Sequence, residues 1–281
     1  SGCGKSVASY SLMRLIEPPG EITGGEVRLH GEDLLALPEE RMADYRGSRM
    51  AMIFQEPMTA LNPVLTIGYQ MDEQIMRHKG LARKASRDRA LEMLDRVGIP
   101  SPRERYDSYP HQLSGGMRQR AMIAMALSCD PEFLIADEPT TALDVTIQGQ
   151  ILELIQRMQD ELHMSVQFIT HDLGVISEIS DEVLVMYAGV ACEMAPTQEL
   201  IGNPRHPYTV ALLESIPRLG RRAARLPAIG GMVPSLFELP AGCPFQNRCP
   251  RAGDECRAAR PPMQTVAPGH KVACFNPVGA R

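Results

Sequence analysis

The sequence is 281 residues long, with 29 Lys and Arg against 34 Asp and Glu and a formal net charge of −5. This length allows one large or two modest domains, and such a core needs no disulfides to be stable. The longest nearly continuous apolar run, Val183 to Cys192, is interrupted by Gly189 and is shorter than the roughly 20 residues of a membrane span. Neither half has the repeats of collagen or a coiled coil, or the composition of a wholly disordered chain.

Charge and composition divide the chain near residue 216. Residues 217–281 carry ten Lys and Arg against three Asp and Glu, a net charge of +7, which leaves −12 for residues 1–216. The same segment holds ten of the 23 prolines and four of the seven cysteines. We therefore predict two parts, a main domain at 1–216 and a small, irregular, Pro-, Arg- and Cys-rich extension at 217–281.

The sequence opens inside a phosphate-binding motif. Its first residues, Ser1-Gly2-Cys3-Gly4-Lys5-Ser6, match the second half of the P-loop pattern G-x-x-x-x-G-K-[ST]. Glycines let backbone N–H groups turn toward a phosphate, Lys5 supplies positive charge, and the Ser6 hydroxyl suits Mg²⁺. Because the first Gly of the pattern and its strand would precede Ser1, we expect a chain truncated within the P-loop, with about 30–40 residues missing. The alternative is a Gly- and Ser-rich loop at a chain end.

Helices and strands alternate along the rest of the main domain. The hydropathy pattern predicts, in chain order, a helix at 7–16, strands at 26–30 and 50–54, helices at 67–79, 84–97 and 114–128, a strand at 133–136, a helix at 145–162, and strands at 166–170 and 182–187. Such alternation is typical of an α/β fold, with a parallel sheet covered by helices.

Polar residues follow the predicted strands at the edge where ligands of such sheets bind. Gln55, Asp137, Glu138 and His171 each come at the end of an apolar run. Asp137 can hold Mg²⁺, and Glu138 can polarise a water for attack on a γ-phosphate. Gln55 can ligate Mg²⁺ or hold that water, and His171 can donate to the γ-phosphate. Taken singly, Asp137 and Glu138 can also be a helix cap followed by a solvated side chain, a lone Gln is more often polar surface, and a lone His is more often structural.

A second anion site is predicted at the start of the helix that begins near residue 114. Ser114-Gly115-Gly116 is an ordinary N-cap sequence, but backbone N–H groups at such a helix start also bind phosphate. One ATP has a single γ-phosphate, so two such sites in one chain suggest a head-to-tail dimer. Each P-loop would then face the Ser-Gly-Gly segment of the other subunit, with ATP between them.

These motifs, in this order and spacing, resemble the nucleotide-binding subunit of an ATP-binding cassette (ABC) transporter. The resemblance covers residues 1–216 and includes the remnant P-loop, Gln55, the signature segment 113–119, the run 134–144 and His171. It implies the parallel sheet of P-loop NTPases with a helical signature subdomain at about 58–130. The implied activity is ATP hydrolysis coupled to transmembrane transport, with ATP and Mg²⁺ bound.

The same resemblance implies roles for the site residues. ATP would be bound by residues of the P-loop and the following strand, namely Ser1, Gly2, Cys3, Gly4, Lys5, Ser6 and Asp137. Mg²⁺ would be held by Ser6, Gln55 and Asp137, and the catalytic residues would be Glu138, His171 and Gln55. The opposing subunit's nucleotide would be contacted by Leu113, Ser114, Gly115, Gly116 and Gln119. Asp144 would lie in the loop that meets the opposing subunit.

A finer resemblance is to the oligopeptide/dipeptide importers. It rests on segments 57–63 and 203–209 and on the cysteine-containing segment 239–250. It implies import of peptides, although relatives of this architecture also carry nickel or glutathione. The implied partners are a second, paralogous ABC ATPase subunit, two transmembrane permease subunits and an extracytoplasmic solute-binding protein, without nucleic acid. The implied location is peripheral, at the cytoplasmic face of the cell (inner) membrane.

Four cysteines of the extension, Cys243, Cys249, Cys256 and Cys274, have the spacing C-x5-C-x6-C-x17-C. So short a Pro-rich segment usually needs a metal or disulfides, and disulfides are rare in the reducing cytosol. Four thiolates can hold Zn²⁺ or a 4Fe–4S cluster, and the spacing does not decide between them. The resemblance to the importers favours the iron–sulfur cluster. Four reduced cysteines without metal are the third possibility.

Two alternatives to a transporter ATPase stay open. One is a soluble ABC ATPase of DNA repair or translation. DNA-repair members insert a long coiled coil, whereas Lys5 and Ser114 lie 109 positions apart with no heptad run; translation factors carry two signatures, and here there is one. The other alternative is an inactive fragment, because the P-loop is incomplete.

Overall fold

The computed structural model describes residues 3–141, 144–216, 229–235 and 238–279. The predicted nucleotide-binding residues Ser1 and Gly2 lie outside the described residues. The chain forms two compact units, one of residues 6–170 and the other of residues 1–5 together with 171–281. The predicted boundary between 216 and 217 stays a prediction.

The larger unit alternates helices with short strands. Its elements are α1 (Lys5–Leu12, of which Lys5 belongs to the smaller unit), β1 (Arg28–Leu29), β2 (Glu32–Asp33), α2 (Glu39–Tyr45), β3 (Met50–Ile53), α3 (Pro57–Ala60), α4 (Ile67–Lys79), α5 (Arg83–Arg96), α6 (Pro102–Tyr106), α7 (Gly115–Leu127), β4 (Phe133–Asp137), α8 (Val145–Leu162) and β5 (Ser165–Ile169). Single 3₁₀ turns lie at Leu34–Ala36 and Pro110–Gln112.

The predicted parallel sheet is confirmed in β3, β4 and β5. The strand order is β3-β4-β5, all parallel, with Met50 opposite Phe133 and Phe133 opposite Ser165. All of β3 and all but the first residue of β4 are buried. Burial on both faces explains why these strands are continuous apolar runs without alternation.

Two hydrophobic cores cover the two faces of this sheet. Alternate residues such as Ile53 and Ala136 pack with helices α4, α5, α7 and α8 in one core. Their neighbours Met52 and Ile135 pack into the other core, with side chains of α1 and α2. Because side chains alternate between the faces of a strand, the sheet is held from both sides, and its carboxyl-terminal edge presents the polar residues that follow.

Local capping signals explain the helices whose bounds match the predictions. Helix α4 begins after Thr66, whose Oγ1 accepts from Tyr69 N at 3.2 Å, and ends at Gly80 with φ +63°. Helix α8 begins after Asp144, whose Oδ1 accepts from Ile147 N at 3.0 Å. Side-chain caps and left-handed C-caps satisfy the backbone groups that a helix leaves unpaired at its ends.

Two predicted elements are shorter than expected. The helix predicted at 7–16 ends at Leu12, and Arg14 has a left-handed φ of 53°. The strand predicted at 26–30 pairs only over Arg28–Leu29, in a two-stranded antiparallel ribbon with β2. His30 has φ 50° and Gly31 φ 84°, a tight turn that ends the first strand after two residues.

The smaller unit is built on an antiparallel sheet. Its elements are α9 (Leu173–Ile179), β6 (Glu182–Tyr187), β7 (Val190–Pro196), α10 (Thr197–Gly202), α11 (Pro207–Glu214), a 3₁₀ turn at Gln246–Arg248, α12 (Asp254–Ala258), β8 (Gln264–Ala267) and β9 (His270–Val272). The strand order is β6-β7-β9-β8 with every pair antiparallel.

The strand predicted at 182–187 is present, but it pairs in this antiparallel sheet rather than with the parallel strands. A two-residue turn, Ala188-Gly189, has φ 46° and 79° and returns the chain directly along β6. Positive φ at both positions matches the twist of an antiparallel hairpin, whereas a parallel crossover needs a long connection.

The extension contains more regular structure than the sequence predicts. Strands β8 and β9 lie within it, and β9 pairs with β7, so Val272 stands opposite Glu193. A small core beside this sheet contains Tyr187, Phe245 and three of the four cysteines of the extension, with Cys249 only partly buried in it. In the described part of the chain, no helix is both long enough and apolar enough to cross a membrane.

Candidate functional site

Asp137, one of the predicted site residues, lies at the carboxyl end of β4. Its side chain is buried, and Ser6 Oγ donates to its Oδ1 at 3.1 Å. Ser6 lies in the first turn of α1, so the helix start next to the P-loop and the end of the central strand meet here. Burial, and next the Asp137 carboxylate, raise the pKa of the nearby Tyr10. A hydroxyl and a carboxylate held together are hard oxygen donors of the type that Mg²⁺ prefers.

Glu138 follows in an unusual backbone conformation. Its φ is 44°, in the left-handed region that costs a non-glycine residue free energy, and the residue is only 8% exposed. Its backbone N–H donates to Ile169 O at 2.9 Å, which ties it to the end of β5. Strain of this kind concentrates at functional sites, because the surrounding structure must hold it in place.

Gln55 reaches Glu138 from the end of β3. Its Nε2 donates to Glu138 Oε2 at 3.2 Å. Adjacent parallel strands end at the same edge of the sheet, which brings these two side chains together although they are 83 residues apart in sequence. The structure thus brings together Ser6 with Asp137 and Gln55 with Glu138.

Thr141 is a neighbour of Glu138 that the sequence analysis missed. Its Oγ1 donates to Glu138 Oε2 at 2.8 Å and its N–H donates to Glu138 O at 3.1 Å. The available signal was the spacing, since Glu-Pro-Thr-Thr has proline at the second position of a four-residue turn. Such a turn places the fourth residue beside the first.

The signature residues lie at the start of α7. Ser114 caps this helix, with its Oγ accepting from Met117 N at 3.3 Å. Leu113 is buried, whereas Gly115 has open space where a Cβ would lie. Gln119 is only 2% exposed, and its Nε2 donates to Pro139 O at 2.6 Å. That described partner lies within the same chain, next to Glu138.

The smaller unit carries the rest of the predicted nucleotide loop and His171. Gly4 has φ +82°, and Cys3 O accepts from Gly189 N at 3.0 Å. Lys5 begins α1. His171 precedes α9, which is capped by Asp172, whose Oδ1 accepts from Gly174 N at 2.8 Å. Asp144, in the larger unit, caps α8 as described above.

The four cysteines of the extension line one cavity, together with Phe245 and Phe275. All seven cysteines of the chain are free thiols. Burial raises the pKa of the Cys243 and Cys249 thiols and raises that of Cys274 to about 11. Within the described ranges, no three His, Cys, Asp or Glu side chains are arranged as a metal site.

Comparisons with known families agree with this geometry. The profile of the ABC transporter family matches residues 1–141. A second profile, described as the oligopeptide/dipeptide transporter C-terminal region, matches residues 192–256. The second match begins within β7 and includes α10, α11 and three of the four cysteines of the extension, Cys243, Cys249 and Cys256.

Curated relatives match almost the whole chain. A putative peptide import ATP-binding protein of Brucella abortus (strain 2308) is 54% identical over 288 residues, covering 98% of this chain and 85% of the relative. The dipeptide transport ATP-binding protein DppD of Bacillus subtilis (strain 168) is 50% identical, with 98% and 82% covered. DppD of Escherichia coli (strain K12) is 46% identical, with 99% and 85% covered.

Solved structures share the fold. The ATP-binding cassette MJ0796, in a dimeric post-hydrolysis state bound to ADP and Pi, aligns with a TM-score of 0.61 and 26% identity, covering 69% of this chain and 81% of that one. The cbiO1 protein of Clostridium perfringens aligns with a TM-score of 0.60 and 25% identity, covering 72% and 76%.

The parallel sheet, with Ser6, Gln55, Asp137 and Glu138 gathered at its carboxyl edge, defines an ATPase of the P-loop class. The chain belongs to the ABC transporter family, as an ATP-binding subunit with the C-terminal region of the oligopeptide/dipeptide transporters. The predicted resemblance is therefore confirmed.

Proposed function

We propose that the chain is the ATP-hydrolysing subunit of an importer of dipeptides or oligopeptides. The observation that carries this proposal is the joint placement of Ser6 against Asp137 and of Gln55 against Glu138 at one edge of the sheet. The substrate class is supported by relatives at 46–54% identity that are named as peptide or dipeptide transport proteins. A soluble ABC ATPase of DNA repair or translation is not favoured by those relatives.

The proposed roles follow from the chemistry of each side chain. Ser6, Asp137 and Gln55 offer the hydroxyl, carboxylate and amide oxygens that would hold Mg²⁺, which neutralises charge on the nucleotide phosphates. Glu138 accepts a proton from the attacking water, because its carboxylate is a base. The two hydrogen bonds from Gln55 and Thr141 hold this carboxylate in one orientation, as a general base requires. From their sequence positions, Cys3, Gly4 and Lys5 bind the phosphates with Ser1 and Gly2, and His171 donates to the γ-phosphate.

We also propose that two ATPase subunits, this chain and a paralogue, sandwich ATP head to tail. Leu113, Ser114, Gly115, Gly116 and Gln119 form the signature segment that faces the partner's nucleotide, directly or through its helix. The start of α7 supports this role, because backbone N–H groups of a capped, glycine-rich helix start bind anions. Asp144 lies in the loop toward the partner, and the main domain spans 1–216 with its helical subdomain at about 58–130.

A groove in the larger unit supports the proposal that the chain binds a membrane protein. It has a volume of about 490 Å³ and is lined by apolar side chains that include Met52, Phe54, Leu61 and Met122. Beside it, the segment after Gln55 exposes Val64 by 75%. We propose that a helix of one of the two permease subunits docks here, which places the chain peripherally at the cytoplasmic face of the membrane. The paralogous ATPase subunit would receive the other permease subunit. An extracytoplasmic protein would deliver the solute.

Replacing Val64 with Asp is expected to weaken assembly with the permease subunits by about tenfold or more. A carboxylate on an apolar docking surface must lose its hydration when the partner binds. Co-purification of the permease with tagged variants measures this effect. Asp88→Asn, an exposed change on α5, is the matched control. Equal recovery of permease with Val64→Asp and the unaltered chain would contradict the proposed surface.

We further propose that Cys243, Cys249, Cys256 and Cys274 hold a 4Fe–4S cluster. The donor set fits, since the four thiols line one cavity. Burial raises the pKa of the Cys243, Cys249 and Cys274 thiols, so these need a metal to become thiolates together. Binding would require the thiols to rearrange, because no ligating trio is preformed among the described side chains. The metal would then lie in the extension at 217–281, whose strand β9 pairs with β7.

Anaerobically purified protein is expected to be brown, with broad visible absorbance and stoichiometric iron and sulfide. Cys243→Ser with Cys256→Ser should remove the colour, whereas Cys129→Ser, in the other unit, should leave it unchanged. The measurements are the visible spectrum and metal analysis. Colourless protein with one equivalent of zinc would show that the four cysteines bind Zn²⁺ and not a cluster. Protein without metal would show that the four thiols are purely structural.

The substrate class is tested by transport. Proteoliposomes that contain the chain, its partner ATPase and the permease are given ATP inside and the solute-binding protein with labelled solute outside. A dipeptide should be taken up in an ATP-dependent manner and unlabelled dipeptide should compete. Uptake of nickel or glutathione instead, without competition by peptides, would show that the substrate assignment is wrong while the ATPase assignment stands.

A further inference from the structure

Thr141 makes a direct contact with the proposed general base. Its hydroxyl donates to Glu138 Oε2 at 2.8 Å, and Gln55 Nε2 donates to the same oxygen at 3.2 Å. A carboxylate oxygen accepts both bonds in fixed directions, which restricts rotation of the Glu138 side chain. Gln55 approaches from β3, whereas Thr141 approaches from the turn that follows Glu138 itself.

The turn that carries Thr141 is held by hydrogen bonds to each of its first three carbonyl groups. Thr141 N donates to Glu138 O at 3.1 Å, which closes the turn. Pro139 O accepts from Gln119 Nε2 of α7 at 2.6 Å, and Thr140 O accepts from Gln148 Nε2 of α8 at 3.2 Å. Each of the three carbonyls 138–140 therefore has a donor.

These hydrogen bonds stabilise the strained backbone conformation of Glu138. Its φ of 44° is strained, so the backbone needs these surrounding bonds to stay in that conformation. A turn held in this way places the Thr141 hydroxyl at one position relative to the carboxylate. Preorganised hydrogen bonds accelerate a reaction because no reorganisation is required when charge moves.

We propose that Thr141 is a positioning residue for ATP hydrolysis, acting through Glu138. The inference rests on the proposed function. In the step concerned, water gives a proton to the Glu138 carboxylate while its oxygen bonds to the γ-phosphorus, and the bond from that phosphorus to the β–γ bridging oxygen breaks, leaving ADP. The Thr141 hydroxyl holds the carboxylate aimed at the water and does not touch the nucleotide.

The test compares Thr141→Val, which removes the hydroxyl and keeps the shape, with Thr141→Ser, which keeps the hydroxyl. ATP hydrolysis is measured in the complex assembled with its partner ATPase and permease. Thr141→Val should lower kcat about tenfold with KM for ATP nearly unchanged, and Thr141→Ser should restore most of the activity. Thr140→Val, next to it in the same turn, is the matched control and should keep full kcat.

A double-mutant cycle shows whether Thr141 acts through Glu138. If it does, adding Thr141→Val to Glu138→Gln produces no further loss of kcat, because the positioned group is already absent. Thr141 is exposed, so its replacement should not unfold the chain, and thermal unfolding checks this. If folding is nonetheless impaired in Thr141→Val, Thr141→Ala provides the same comparison.

The outcomes separate the inference from the proposed function. Unchanged kcat in Thr141→Val, a change confined to KM, or additive losses in the double mutant would overturn the role of Thr141 alone, provided that Glu138→Gln has a strongly reduced but measurable kcat. An active Glu138→Gln complex would overturn both the general base and its positioning residue.

Discussion

Replacing Glu138 with Gln is expected to lower the kcat of ATP hydrolysis by about 100-fold or more while ATP binding persists. The amide keeps the size of the side chain and can still accept from Gln55 and Thr141, but it cannot take a proton from water. General-base catalysis typically contributes 10²–10⁴-fold to a rate. Phosphate release from the assembled complex measures kcat, and equilibrium binding of labelled ATP measures affinity.

A matched replacement shows whether the fall in kcat comes from losing the Glu138 carboxylate or from losing any negative charge in the same unit. Glu153 is exposed on α8, and Glu153→Gln removes one negative charge from the same unit. It should hydrolyse ATP at the unaltered rate. If Glu138→Gln turned over ATP as fast as Glu153→Gln, Glu138 would not be the general base.

The second large effect is expected on stability, from replacing Glu193 with Leu. Glu193 is fully buried in β7, and its carboxylate accepts from Arg205 N at 2.6 Å, His206 N at 2.9 Å and His270 Nε2 at 2.7 Å. Leucine accepts none of these, so two backbone N–H groups and a buried histidine lose their acceptor. Removing one partner of a buried charged cluster costs about 3–5 kcal/mol.

Amide hydrogen exchange localises that loss. Glu193 joins β7 to β9 and to the loop before α11, so exchange should accelerate in His270–Val272 and around Arg205. Glu193→Gln retains one acceptor oxygen and should be destabilised less. The exposed replacement Glu182→Leu, on β6, should leave exchange in β9 unchanged. Similar unfolding midpoints in urea for Glu193→Leu and Glu182→Leu would contradict the anchoring role.

The elements that the sequence predicts well are those determined by local signals. Helices α4 and α8 match at both ends because Thr66, Gly80 and Asp144 specify their starts and stops within a few residues. Strand β4 was predicted because burial on both faces leaves an unbroken apolar run before Asp137. Periodicity and capping therefore suffice where no distant partner is needed.

Strand pairing could not be predicted in the same way. The run at 182–187 has the hydropathy of a strand, but its sheet depends on the turn at Ala188-Gly189 and on β9, about 80 residues further along. Register and partner are properties of tertiary packing. The same limit explains why Glu193 was not predicted, since the three groups that donate to its carboxylate come from two other segments, the loop before α11 and strand β9.

The candidate site was predicted residue by residue but not contact by contact. Spacing identified Gln55, Asp137 and Glu138, because polar residues after buried strands gather at one edge of a parallel sheet. The spacing did not predict the observed contact of Gln119. We predicted that Gln119 contacts the opposing nucleotide, and in the structure its described partner is Pro139 O. For Thr141 the available signal was the proline of the Glu-Pro-Thr-Thr turn rather than a position after a strand. Both contacts also depend on the left-handed backbone of Glu138, which the sequence does not indicate.

The most direct test of the proposed activity is simultaneous measurement of ATP hydrolysis and dipeptide uptake in one proteoliposome preparation. The unaltered complex should show both, and chelation of Mg²⁺ or Glu138→Gln should abolish both together. Dipeptide uptake that continues at the unaltered rate when this chain cannot hydrolyse ATP would contradict its role as the subunit that energises transport.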